Sequence, residues 1–178
     1  SSIDLQRKAQ WKSEVSTKNQ ELNFLPSALA QTIEEVNEWV YPQINNGVYK
    51  CGFAKTQQAY EAAAKDLQAG LEHANSLLEH SKFLCSQDQM TEADIRLFVS
   101  LIRHDEVYCV YFKTNHVPIV GATKFPHLIR YMKDILKIPE VRETVKMGHI
   151  KGHYYTSHPS LNAYGIVPVG NEVLKSLL

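Results

Sequence analysis

Four groups of side chains in this sequence have types and spacings that invite chemistry. His149, His153 and His158 fall within ten residues, a density that suits a metal ion. Gly148 and Gly152 break the segment, and no cysteine or carboxylate is interleaved, so the donor set of a zinc site is missing. These read as loop histidines that hydrogen-bond and cap, and no metal site is expected. Cys51, Cys85 and Cys109 are candidate nucleophiles, which would need a helix N-terminus or a neighbouring cation to lower the thiol pKa. Cys51 has Lys50 beside it, Cys85 sits in a loop before Thr91, and Cys109 lies inside an apolar helix. All three read as small buried hydrophobes, and no catalytic residue is assigned. Arg103-His104-Asp105-Glu106 puts four polar groups into the most apolar helix of the chain. Buried charge is costly unless paired. The stretch is therefore a solvated strip, an internal ion pair of Arg103 with Asp94 or Asp105, or the polar lining of a cleft. Tyr49, Tyr154 and Tyr155 are phenols in segments that read as irregular and lie beside turns. Such groups bond a ligand oxygen or stabilise developing negative charge, or they simply pack.

The elements that must position these groups read as helices. Leu29, Ile33, Val36 and Val40 recur at helical spacing after Pro26-Ser27. Tyr41-Pro42 predicts the end of that helix, because the residue before proline is pushed out of the α region. Asn45-Asn46-Gly47 predicts a turn, and Val48 to Phe53 a short irregular stretch. Tyr60, Ala63, Leu67, Leu71, Ala74 and Leu78 form one stripe of a long helix over 56–80. Thr91-Glu92-Ala93-Asp94 is a capping box that opens a helix running to about Phe112. Thr123 reads as a cap for a helix carrying Leu128, Met132, Ile135 and Leu136, and Pro139 opens a shorter one to Val145. From Met147 onward, glycines and prolines are expected to break any long element, leaving an aromatic tail packed over the bundle. No stretch alternates with period two for long enough to make a sheet.

Composition narrows the class. The chain has 178 residues, with 19 Lys+Arg against 19 Asp+Glu and 44% hydrophobic residues. It is long enough for a full core without disulfides or metal, and the balanced charge gives no basic surplus for a nucleic acid. No apolar run approaches the roughly 18 residues of a membrane span. Three cysteines at wide spacing suit free thiols in a reducing compartment, with cytosol, mitochondrial matrix and plastid stroma fitting equally. The start, Ser1-Ser2-Ile3-Asp4, shows no signal-peptide pattern and reads as processed or truncated.

Taken together, the motifs resemble a known family. Asn37-Glu38-Trp39-Val40-Tyr41-Pro42 and Ile44-Asn45-Asn46-Gly47-Val48-Tyr49-Lys50-Cys51-Gly52-Phe53-Ala54 are similar to segments of the glutathionyl-hydroquinone reductases, the xi-class, omega-like glutathione transferases. Thr91 to Leu97 resembles their capped central helix. Leu101-Ile102-Arg103, Asp105 to Tyr108, Tyr111-Phe112-Lys113, His149-Ile150-Lys151, His153-Tyr154-Tyr155 and Gly165-Ile166-Val167-Pro168 continue the match, which runs from about Leu22 to Gly170. The resemblance implies an all-α fold, the C-terminal helical bundle of a glutathione transferase, over 26–170. Residues 1–25 form a divergent extension and 171–178 a C-terminal end. It implies that Tyr49 and Tyr154 face the hydroquinone, binding its phenolic oxygens while glutathione leaves the ring as a disulfide.

The resemblance also places the family's catalytic cysteine in a preceding thioredoxin-like domain, in a Cys-Pro segment that helps bind glutathione. Here no cysteine is followed by proline, and residues 1–25 are too short for even one βαβ unit of about 30 residues. No cofactor is therefore expected in this chain, since glutathione would need the missing domain. His104 stands where the family usually has an aromatic residue. Two readings follow. One is a subunit or scaffold, inactive alone, whose partners are other protein subunits. The other is a fragment of an active reductase, whose partner is the thioredoxin-like domain. The first is favoured on the length of the chain. Either predicts an open, partly apolar face, room for an aromatic small molecule, and no nucleic-acid partner.

Overall fold

The path of the chain is set by helices whose apolar stripes meet, with two places where the helical turn widens. A computed structural model describes residues 22–120, 124–170 and 173–177, and among them every regular element is helical. Thr123 and residues 1–21 of the expected extension lie outside the described residues. A 3-10 turn at Ser27–Leu29 leads into α1 (Ala30–Trp39), which buries Ile33 and Val36. The predicted stop at Tyr41-Pro42 does not occur. The chain continues as a π turn, Val40–Asn45, closed by the Asn46 N–H donating to the Tyr41 carbonyl at 2.8 Å. A bond from residue i+5 back to i encloses one more residue than an α turn, so the wider turn absorbs a proline that has no N–H to give. The Asn45-Asn46-Gly47 signal is likewise overridden. It leads straight into α2 (Gly47–Gly52), so the stretch expected to be irregular is helical.

The long helix is α3 (Gln57–His80), started by Thr56, whose Oγ1 accepts the Ala59 N–H at 3.1 Å. Ala63, Leu67, Leu71, Ala74 and Leu78 of the predicted stripe are buried, and Tyr60 packs at its edge. Against α3 lie α2, the first π turn and α6 (Pro126–Leu136). Gly70 lets the π turn come close, because a Cβ there would sit 2.9 Å from the Gln43 Cβ. Two free amides at the start of α6, those of His127 and Leu128, are capped from α3 by Asn75 Oδ1 at 3.1 and 3.2 Å.

The capping box forms at the start of α4 (Glu92–Arg103). Asp94 Oδ2 accepts the Thr91 N–H and the Thr91 hydroxyl, both at 2.8 Å. The helix expected to run on to about Phe112 is interrupted by a second π turn, His104–Tyr108, before the short α5 (Cys109–Tyr111). After α7 (Pro139–Thr144), the glycine-bearing segment folds as a helix, α8 (Met147–Ser157), contrary to the expectation that its glycines would break it. Burial of Tyr154 and Tyr155 in the core anchors α8, and the second π turn packs against it. Finally α9 (Val173–Leu177) returns to pack on α6 with Leu177 buried. No helix among the described residues is long and apolar enough to cross a membrane.

Candidate functional site

Both π turns feed one cavity. In an α-helix, with about 100° per residue, Tyr108 would lie about 140° around from Arg103. One extra residue in the turn takes back about 100°, which brings the two to the same side. The first π turn delivers Asn45, and Tyr49 follows one α-helical turn later. The cavity between them has a volume of about 580 Å³, and Tyr49, Tyr108, Tyr154, Arg103, Asn45 and Ser100 are among its lining residues.

At its wall three phenols meet. The Tyr49 and Tyr154 hydroxyls are 2.7 Å apart, and the Tyr108 and Tyr154 hydroxyls 2.9 Å. The rings are held from behind. Tyr108 stacks on Phe112, with centroids 5.5 Å apart and an interplanar angle of 3°, and meets Tyr154 edge to face. Phe112 fits because Gly52 carries no side chain; a Cβ there would lie 2.1 Å from Phe112 Cδ1. Asn45 Nδ2 donates to the Arg96 carbonyl at 2.8 Å and to Ser100 Oγ at 2.6 Å, which ties the first π turn to α4.

Burial keeps Tyr49 and Tyr108 protonated. Burial, followed by the Tyr154 hydroxyl, pushes Tyr49 up to about 12, against a smaller opposing pull from the Tyr108 hydroxyl and the Arg103 charge. Burial pushes Tyr108 further in the same direction. These two therefore donate hydrogen bonds at neutral pH and supply no base.

The other candidates fall elsewhere. Tyr155 does not join the cluster; it packs on Tyr111, its hydroxyl 3.4 Å from the Glu106 carbonyl. Neither ion pair expected of Arg103 forms. Asp94 is spent in the cap, and Asp105 accepts the Ile119 and Val120 N–H groups at 2.9 and 2.7 Å. Arg103 lines the cavity instead, with one N–H donated to the Val99 carbonyl. The ion pair in this stretch is Glu106 with Lys151, at 3.2 Å and nearly out of solvent.

His149, His153 and His158 do not converge as a donor set among the described residues. His104, Asp105 and Cys109 do place three donor atoms within 4.8 Å of one another. Each is engaged in holding the chain, however: Asp105 by two amides, the His104 Nε2 by the Val117 carbonyl at 3.1 Å, and Cys109 by Thr114. The three clasp the loop 113–120. None of the thiols is activated. Burial pushes Cys51 up to about 11 and Cys109 to about 12, and raises Cys85 as well. Of the cavity partners of Tyr49 and Tyr154, Tyr108 was missed from sequence, while Arg103 follows the cleft-lining alternative read for its stretch. Their phase is set by the π turn, which an α-helical projection does not contain.

An all-helical bundle with its cavity beside a capped central helix is matched by a known class, the C-terminal domain of glutathione transferases. Residues 57–134 match the family described as Glutathione S-transferase, C-terminal domain. The chain is 38% identical over 148 residues to "Glutathionyl-hydroquinone reductase YqjG" of Escherichia coli, covering 83% of this chain and 44% of that protein. It is 41% identical over 148 residues to "Glutathionyl-hydroquinone reductase PcpF" of Sphingobium chlorophenolicum, covering 83% of this chain and 46% of that one. Among solved structures, the glutathione-S-transferase Xi from Phanerochaete chrysosporium superposes with a TM-score of 0.80 at 44% identity, over 85% of this chain and 50% of that one. The chain belongs to the glutathionyl-hydroquinone reductase, xi-class glutathione transferase family and corresponds to its C-terminal domain. It spans about half the length of the curated relatives it matches.

Proposed function

We propose that this helical unit is the acceptor-binding half of a glutathione-dependent reductase of glutathionyl-hydroquinones, and that it is inactive without a thioredoxin-like partner. The observation that carries the reading is the three-phenol cluster. Tyr49, Tyr108 and Tyr154 offer hydroxyls to the oxygens of an aromatic ring, in a cavity large enough to hold one. Tyr49 and Tyr154 are the positions that the family resemblance assigns to the hydroquinone. The thiol chemistry belongs elsewhere. Reductive removal of glutathione from a ring needs a thiolate to attack the thioether sulfur, and burial holds Cys51, Cys85 and Cys109 as thiols.

A second groove, of about 690 Å³, adjoins the cavity, and Tyr41 and Arg96 line both. Leu25 and Tyr41 are more than half exposed there, and Asn37 Oδ1 is buried without a hydrogen-bond partner among the described residues. This face suits docking of the thioredoxin-like half, whether on the same chain or on another subunit of a larger assembly. Purified chain given glutathione and a glutathionyl-hydroquinone is expected to show no turnover. Turnover that disappears in Cys51→Ala would overturn the reading and make Cys51 the nucleophile.

A further inference from the structure

We infer that this cavity holds its aromatic ligand as an oxygen anion, a phenolate, between the tyrosine hydroxyls and the Arg103 guanidinium. The inference rests on the acceptor-binding reading above and adds the ligand's charge and protonation state. It starts from a count of protons. Three phenols carry three O–H protons. The Tyr49–Tyr154 and Tyr108–Tyr154 bonds use two of them. Among the described residues Tyr49 and Tyr108 are joined by no bond of normal geometry, only by a weak contact of their hydroxyls, and no carbonyl or carboxylate accepts from any of the three. One O–H donor is left with no more than the weak Tyr49–Tyr108 contact, whichever way the chain of bonds runs.

The charges point the same way. Among the described residues no acidic side chain lines the cavity, and the two cations there differ in their commitments. Arg96 is paired with Glu92, its Nε 2.6 Å from Oε1. Arg103 has no carboxylate partner among the described residues, and only one of its five N–H donors is assigned, to Val99. The cavity thus presents an unpaired positive charge and a surplus donor. An oxygen with lone pairs and a negative charge answers both, and charge-assisted bonds to it are the strong ones. Tyr49 and Tyr108, already protonated, cannot take the ligand's proton, so that proton leaves to solvent when the phenolate binds.

The test titrates the 178-residue chain with 4-nitrophenol, whose phenolate is coloured and whose phenol is not, across the pH range in which it ionises. Bound 4-nitrophenol is expected to ionise at a lower pH than the free compound, and 4-nitroanisole, which has no ionisable oxygen, to bind at least tenfold more weakly. Arg103→Gln, checked for fold by circular dichroism, is expected to weaken binding about tenfold and to return the ionisation to its free value, while Arg103→Lys keeps part of the shift. Equal binding of the anisole, or an unchanged ionisation in Arg103→Gln, would overturn the phenolate inference and leave an apolar acceptor site standing. If the folded chain binds neither compound, the acceptor-binding reading itself falls, and this inference with it.

Discussion

Asp94→Ala is expected to lower the stability of the fold by about 4 kcal/mol, the sum of a lost helix cap at about 1 kcal/mol and buried donors left without acceptors at about 1–3 kcal/mol each. Asp94 is fully buried. Its Oδ2 receives the Thr91 N–H and hydroxyl. Its Oδ1 receives the Leu84 N–H at 2.9 Å and the Tyr131 hydroxyl at 3.2 Å. One carboxylate thus caps α4, fixes the loop before it and ties α6 to both. In Asp94→Ala the Thr91 and Leu84 amides lose their acceptor inside the protein. Tyr131 keeps the Asp94 backbone carbonyl at 3.1 Å, so its share is smaller. Asp94→Asn, which retains one carbonyl oxygen, should lose about half as much, or about 2 kcal/mol. Urea unfolding of the three proteins measures this. A loss in Asp94→Ala below about 1 kcal/mol, the value of an ordinary exposed cap, would contradict the network.

The second large effect is acid lability centred on His104. Burial lowers its pKa from 6.5 to about 4, against a smaller opposing pull from Asp105, with His116 adding slightly to the lowering. The Val117 carbonyl can only accept, so the ring is neutral with its proton on Nε2. The folded-state value is the lower one, so between about pH 6.5 and about 4 the unfolded chain binds a proton that the folded chain does not. The stability this group contributes is complete above the unfolded value and is lost as the pH falls toward the folded one. A shift of about 2.5 units corresponds to about 3 kcal/mol across that window. Unfolding midpoints measured at both ends of the window should fall in the wild type and flatten in His104→Phe. The same acid slope in both proteins would place the sensitive group elsewhere.

What the sequence made readable, and what it hid, divides along one physical line. Stripes with the α-helical period were found, because Leu67, Leu71 and Leu78 bury by recurring at that period. The Thr91–Asp94 cap was found because it is local chemistry. The π turns at Val40–Asn45 and His104–Tyr108 were not, since a widened turn has no residue preference to betray it. Pro42 and Asn46-Gly47 signalled a break that packing against α3 overrode. For the same reason α8 was hidden: Gly148 and Gly152 argue against a helix, and only the burial of Tyr154 and Tyr155 against distant partners secures it. Within the cavity, Tyr49 and Tyr154 were singled out in advance, and the fold brings them together across 105 positions. Tyr108 joins them through the second π turn, so its role emerges only in three dimensions, while Arg103 takes up the cleft-lining alternative read for its stretch.

The central claim is that the tyrosine cavity binds the aromatic acceptor, and calorimetric titration of a glutathionyl-hydroquinone into the chain tests it most directly. Tyr154 sits between the other two hydroxyls, so Tyr154→Phe breaks both bonds of the cluster at once. Tyr164→Phe is the control, because Tyr164 is 90% exposed. The account predicts one ligand per chain, affinity reduced about tenfold in Tyr154→Phe, equivalent to about 1.4 kcal/mol, and no change in Tyr164→Phe. Binding to Tyr154→Phe as tight as to the wild type, or no binding to the folded wild type, would contradict it.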